Sequence, residues 1–211
     1  MIKNKNYLKI ISSFGAAGVV FYFLHVLLGT VFYEGYDSFA HAISNLTAAS
    51  SPSRNIAMPL SVMYGIFSVI FSIAFFIYFK GRVNKWITFA AGLLCPMTII
   101  SFLGYAFFPL SEAGYAGTFE DKMHIAVTVA VAVLTIVSII LFSTGFFKQK
   151  NLKYLGAISV CTLILLMTGA ILAYILPKEY FGVAQRICVF STVIYIGILS
   201  VWMYGYVRKR E

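Results

Sequence analysis

Six apolar runs, each 22 to 25 residues long, follow one another along the chain and restrict what it can fold into: 10–33, 58–79, 86–108, 124–147, 154–176 and 182–206. About 20 mostly apolar residues are enough for a helix to cross a bilayer, and the runs lack the two-residue alternation of a transmembrane β-barrel. Charged residues make up only 11% of the chain, against about 25% in soluble domains. The sequence predicts an all-α fold, a polytopic membrane bundle of six transmembrane helices forming a single domain over residues 1–211.

The basic residues are divided unequally between the two ends of these helices. Of the 16, four flank one end, namely Arg54, Lys122, Lys178 and Arg186, and the other twelve flank the opposite end. The positive-inside rule predicts that both termini and the short connections are cytoplasmic. The net charge of +9 then reflects topology and attraction to anionic inner-leaflet lipid. We therefore expect a multi-pass protein of the plasma membrane and no nucleic-acid partner.

The first outer loop holds Asp37, His41, Ser44 and Asn45, which are spaced at i, i+4, i+7 and i+8. On a helix these residues share one face, so the segment is interpreted as a short amphipathic helix at the outer surface. In one interpretation the polar groups only satisfy loop backbone. In another, Asp37, His41 and Ser44 supply the residue types of a nucleophilic triad. A third uses His41 together with groups from the other outer loops.

The second and third outer loops carry such groups, and the candidate ligand-binding residues are Glu120, Asp121, Gln185 and Arg186. Glu120, Asp121 and His124 open the fourth helix, where acids complement the helix dipole and His124 is a candidate general base. Gln185 and Arg186 open the sixth helix, and Arg186 is a candidate clamp for a lipid phosphate or carboxylate. An ion pair between Arg186 and an acidic loop residue is the alternative.

No cofactor and no metal site are predicted, because the three cysteines lie singly inside apolar runs and no H-E-x-x-H motif occurs. A divalent ion held by converging histidines and carboxylates remains the less favoured alternative.

Two features inside the apolar runs bear on packing. His25 is the only ionisable side chain deep in a run, and we expect a neutral imidazole hydrogen-bonded to a neighbouring helix. Gly15, Gly18, Gly65 and Gly92 are expected to allow close approach of helix backbones.

The loop motifs resemble those of domain-of-unknown-function family 998, six-helix membrane proteins of bacteria and archaea. The first loop, "YDSFAHAISNLTA", matches the family pattern at Asp37, Ile43, Ser44, Leu46 and Ala48. Further matches lie at Phe108, Pro109 and His124, and at Gly182, Gln185 and Arg186.

Three positions of the first loop depart from the pattern: Ser38 stands for the usual Pro, Asn45 for Glu and Thr47 for Gly. Asn45 cannot take up a proton, so any chemistry that Glu performs there in relatives is not expected here. The loop is also distantly similar to the DRAM-like group of six-helix proteins, which includes lipid-handling members. The resemblance implies the fold and a membrane context, and a role with lipid.

Three function classes follow from these residues. The first is a protein that binds or handles a membrane lipid at the outer leaflet, through a polar site of Asp37, His41, Ser44, His124 and Arg186. The second is a non-catalytic accessory, sensing or immunity protein that uses the outer loops as an interface for a protein partner. The third is a membrane-embedded hydrolase or an acyl or phosphoryl transferase, with His41 or His124 as base.

Overall fold

Seven α-helices make up most of residues 5–112 and 114–209, the part of the chain that the computed structural model describes. They are α1 (Lys5–Ser12), α2 (Phe14–Val31), α3 (Arg54–Phe79), α4 (Lys85–Phe107), α5 (Phe119–Phe147), α6 (Lys153–Ile175) and α7 (Phe181–Arg208). In this part of the chain six helical segments are long and apolar enough to cross a membrane, α1 and α2 together forming the first. The all-α fold with six spanning helices is confirmed, and each segment begins and ends within five residues of its predicted run.

The spanning helices form a closed ring. Each contacts the next along the chain, and α7 also contacts α2. Because six spans alternate in direction, α1 begins and α7 ends on the same side of the bundle. The short connections 80–84 and 148–152 also lie on that side, which we call the basic end; the opposite side, with the three longer loops, is the loop end.

Tyrosines mark both ends of the bundle. Tyr7 and Tyr154 are exposed at the basic end, and Tyr174 and Tyr180 at the loop end. Tyrosine is enriched where a membrane protein meets the lipid headgroups, because its ring is apolar and its hydroxyl polar. Exposed tyrosines at both ends are therefore consistent with a bilayer between them.

Aromatic rings fill the half of the bundle nearer the basic end. Phe79 stacks on Trp202 with ring centres 4.7 Å apart, and Phe142 stacks on Phe146 at 5.6 Å. Such pairs contribute about 0.5–1.5 kcal/mol beyond the burial of their surface. The buried histidines, His25 and His124, lie in the other half, nearer the loop end.

Glycines bring helices together at some of the expected positions. A Cβ on Gly15 would lie 2.7 Å from the Cβ of Ser200, and a Cβ on Gly65 would collide with the ring of Phe102. At Gly92 the expectation of close packing is wrong, because a Cβ there would meet only the ring of Phe76, at 3.5 Å.

Residues 32–53, which we call the cap, connect α2 to α3 without the single amphipathic α-helix expected there. A turn at residues 38–40 is followed by a 3₁₀ helix at Ile43–Thr47. The backbone N–H of Phe39 donates to Oδ1 of Asp37 at 2.8 Å, a local bond that competes with helical hydrogen bonding. Ile43 and Leu46, three residues apart, are buried against the bundle.

Candidate functional site

Arg186 attaches the cap to the start of α7. Its Nη1 donates to the carbonyl oxygens of Ser38 at 2.6 Å, His41 at 3.0 Å and Gly182 at 2.9 Å. Its Nη2 donates to the hydroxyl of Tyr36 at 2.8 Å. The guanidinium thus acts as a clamp on backbone carbonyls, and these contacts differ from both the lipid clamp and the ion pair considered for it.

Tyr36 and Gln185 complete the attachment. The Tyr36 hydroxyl donates to the carbonyl of Ala42 at 2.9 Å, and Oε1 of Gln185 accepts from the backbone N–H of Ile43 at 2.7 Å. Burial raises the pKa of Tyr36 above its ordinary value of 10, although Arg186 opposes this effect. The hydroxyl therefore keeps its proton and can donate to the cap while accepting from Arg186.

Asp37, His41 and Ser44 do not have the hydrogen bonds of a catalytic triad. The Asp37 carboxylate accepts from Phe39, while the Asp37 backbone N–H donates to Nδ1 of His41 at 3.1 Å. In a triad the histidine Nδ1–H donates to the carboxylate instead. Ser44 is partly exposed, and its carbonyl accepts from Thr47 at 3.3 Å. Asp37 and His41 are brought together, but in a turn.

Asp121 organises the second longer loop. Its buried carboxylate accepts from the backbone N–H and hydroxyl of Ser111, at 2.9 and 3.0 Å, and from the backbone N–H of Ala116 at 2.8 Å. It also forms a capping box with Thr118 at the start of α5, which satisfies N–H groups that a helix leaves unpaired. Glu120 is exposed beside it. Asp121 is thus fully used in holding the loop.

His124 joins the start of α5 to the end of α4. Its Nδ1 lies 2.8 Å from the carbonyl oxygen of Phe108, and its ring centre lies 4.8 Å from that of Tyr105. A carbonyl only accepts, so Nδ1 carries the proton. In the neutral ring Nε2 is then an acceptor, and His124 remains chemically able to act as a base.

The cap contacts both the second longer loop and the start of α7. Ala49 in the cap donates its N–H to the carbonyl of Leu110 in the second loop at 2.7 Å. Val183, at the start of α7, donates to the carbonyl of Phe39 at 3.1 Å. The candidate residues fall into two groups, one around Arg186 and one around Asp121 and His124, which the cap links. Their convergence on one pocket stays a prediction.

His25 lies outside the site predicted from the sequence, and it is a buried polar group of the loop-end half. Its side chain is 3% exposed, and neither ring nitrogen has a hydrogen-bond partner. The backbone of Tyr22, one turn earlier on the same helix, interacts with the ring, but outside hydrogen-bond geometry. The expected bond to a neighbouring helix is therefore wrong. The signal for this residue in the sequence is a lone histidine inside an apolar run.

Asn45 is another buried polar residue at the loop end with an atom that lacks a hydrogen-bond partner. It is 5% exposed, and its Oδ1 has no hydrogen-bond partner. It lies on the 3₁₀ helix between the buried Ile43 and Leu46. Where the family pattern has Glu, this chain thus has an uncharged amide at a buried position.

Within the described residues, no three histidine, cysteine, aspartate or glutamate side chains are grouped in a way that could hold a metal ion.

Comparison with known proteins places the chain in a family. The family described as "Protein of unknown function (DUF998)" matches residues 16–202. The chain belongs to this family. The DUF998 match includes the cap, both buried histidines and Arg186, so the candidate site lies wholly within it. The chain matches none of the curated proteins and none of the solved structures with which it was compared.

Proposed function

We propose that this DUF998 protein binds a glycerolipid at its loop end in the plasma membrane, with the lipid's ester and glycerol oxygens meeting His25 beneath the cap. The observation that carries the proposal is the buried imidazole with two unpaired nitrogens. An unsatisfied buried donor or acceptor costs about 1–3 kcal/mol. A ligand that supplies the missing partner recovers this energy on binding.

The depth of His25 suits the ester region of a lipid. It lies six residues before Val31, the last residue of α2, which corresponds to about 9 Å along the helix. Because α3 has 26 residues, it is about 39 Å long and extends beyond a hydrocarbon core of about 30 Å at both ends. With the ends of α2 and α3 level, His25 lies about 4–5 Å inside the boundary of that core, just below the interfacial layer that holds the ester carbonyls.

The hydrogen-bonding groups also match a glycerolipid. A neutral imidazole offers one N–H donor and one acceptor. An ester carbonyl accepts from the N–H, and a donor on the lipid headgroup, such as the ammonium of phosphatidylethanolamine, can pair with the other nitrogen or with Oδ1 of Asn45. A fully apolar ligand would leave all these atoms unpaired.

The surroundings of His25 are aromatic. The ring of Tyr22 lies 5.3 Å from that of His25, and the ring of Tyr64 lies 4.8 Å from that of Tyr22. Phe190 from α7 contacts the same tyrosine at 6.4 Å. Rings of this kind give acyl chains a large apolar surface, so polar and apolar parts of a lipid both find partners.

The test compares dioleoyl phosphatidylethanolamine with its diether analogue, which lacks the ester carbonyls. Binding to purified protein in detergent is measured by native mass spectrometry. We expect the ester lipid to bind about 5–10-fold more tightly than the ether, as one buried hydrogen bond of about 1–1.5 kcal/mol predicts. In His25→Leu this difference disappears, while the lipid-free variant unfolds at the same temperature as wild type or higher.

The matched control is Ser138→Ala, which also removes a buried polar group without a partner, in this case a hydroxyl. It should keep the full preference for the ester lipid. Equal binding of both lipids to wild type, or an unchanged preference in His25→Leu, would contradict the proposal. If the protein releases oleic acid and this release depends on His124, its function is lipid hydrolysis and the proposal of lipid binding alone is wrong.

A further inference from the structure

An apolar groove of about 480 Å³ opens on the surface of the bundle near the basic end. Phe76 of α3, Phe89, Gly92 and Leu93 of α4 and Leu141 of α5 line it. Its volume lies within the range of about 300–1,000 Å³ typical of ligand pockets. It lies between three helices that each cross the membrane, so its open side faces lipid.

Gly92 keeps the groove open. A Cβ at this position would meet only the Phe76 ring, at 3.5 and 3.8 Å, and no backbone. Thr88, one turn earlier, donates its hydroxyl to the carbonyl of Asn84 at 3.2 Å. The groove therefore presents only apolar surface along its length, as an acyl chain requires.

Lys80 lies at the basic end of this groove and is part of its lining. Its Nζ is 5.7 Å from the centre of the Phe76 ring, so the ammonium stands directly over the apolar lining. The nearby Lys85 and Lys148 are placed differently, because both lie over the ring of Trp86, at 5.5 and 4.7 Å. One cation is thus positioned at the mouth of the groove.

The groove is too short to bind a partner helix. From Thr88 to Leu93 it extends about 8 Å along α4, at about 1.5 Å per residue, which is less than two helical turns. An acyl chain needs no hydrogen bonds from its host, whereas a phosphate needs a cation near the membrane surface. A basic site between helices on the positively charged side is the arrangement that binds anionic headgroups.

We infer that this groove binds the headgroup-proximal part of one acyl chain of an anionic two-chain phospholipid from the leaflet at the basic end, with the phosphate paired to Lys80. This site is separate from the loop-end site in position and in chemistry. The lipid binds along α3, α4 and α5, and its affinity depends on headgroup charge.

The experiment measures binding of dioleoyl phosphatidylglycerol and dioleoyl phosphatidylcholine to the purified chain by native mass spectrometry. Wild type should prefer phosphatidylglycerol by about fivefold, the effect of about 1 kcal/mol for one lysine near a membrane surface. Lys80→Gln should abolish this preference, whereas Lys153→Gln, at an exposed position of the same end, should retain it. Gly92→Leu should remove one bound lipid of either kind, because its side chain occupies the groove.

Gly205→Leu is the control for Gly92→Leu, since Gly205 also has open space around it but lies on α7. If Gly92→Leu does not fold, the surface substitution Lys80→Gln decides alone. An unchanged preference in Lys80→Gln, or an equal loss in Lys153→Gln, would overturn the inference and leave only non-specific annular lipid. His25→Leu should keep the preference for phosphatidylglycerol, so the two lipid proposals can fail separately.

Discussion

The polar residues of the loop end serve two different purposes. Arg186 and Asp121 are saturated with contacts to loop backbone, and such residues stabilise a conformation. His25 and Asn45 have buried atoms without hydrogen-bond partners, and such atoms are free to bond a ligand. Candidate ligand contacts are therefore found among the unsatisfied groups rather than among the most strongly bonded ones.

Replacing Arg186 by lysine should destabilise the protein although the charge is kept. One ammonium cannot reach the carbonyls of Ser38, His41 and Gly182 and also the Tyr36 hydroxyl, because it lacks the planar fork of the guanidinium. Each lost hydrogen bond to a charged group contributes about 1.5–3 kcal/mol, so Arg186→Lys should lower the free energy of unfolding by about 2–3 kcal/mol. Thermal unfolding in detergent measures this.

Lys178→Arg, at an exposed position of the third longer loop, is the control and should leave unfolding unchanged. If Arg186→Lys unfolds at the wild-type temperature, the clamp contributes little and the cap is held by its apolar residues alone.

Among the elements, the cap and the start of α7 depend on a close approach of backbones. A Cβ on Gly182 would lie 2.6 Å from the carbonyl oxygens of both His41 and Ser38. No backbone at that spacing can accept a side chain without moving. The position of the cap above His25 thus depends on a glycine at residue 182.

Gly182→Ala and Gly205→Ala, two substitutions in the same helix, should have different effects on stability. Gly182→Ala should lower the free energy of unfolding by about 1–3 kcal/mol through overpacking. Gly205→Ala has nothing within 4 Å of its Cβ and should be neutral or stabilising by up to about 1 kcal/mol. Thermal unfolding of both variants side by side measures the difference; equal effects would mean that the cap does not press on α7.

The sequence predicted the elements well and the contacts of the site less well. Hydropathy alone places six helices, because a bilayer requires long apolar runs. Asp37, His41 and Ser44 have helical spacing and so predict an α-helix for the cap. This prediction is wrong because the Asp37 side chain bonds the Phe39 backbone and ends that periodicity. The carbonyl partners of Arg186 carry no sequence signal, since every residue has a carbonyl.

For the whole molecule, the inequality of basic residues predicts that both termini face the cytoplasm. Single cysteines at Ser50 and Lys150, both exposed, test this once Cys95, Cys161 and Cys188 are replaced by alanine. In intact cells a membrane-impermeant maleimide should label position 50 and should reach position 150 only after permeabilisation. The opposite pattern would invert the topology and exchange the leaflets of the two lipid sites.

The account rests most on a ligand reaching His25, and histidine nitrogens can be observed directly. The chain has only three histidines, so ¹⁵N-histidine NMR gives a spectrum that His→Gln variants can assign. When dioleoyl phosphatidylethanolamine is added to lipid-free protein in detergent, the ring ¹⁵N signals of His25 should shift with saturation, while those of His41 and His124 stay nearly fixed. Unmoved His25 signals at saturating lipid would contradict the proposed lipid contact.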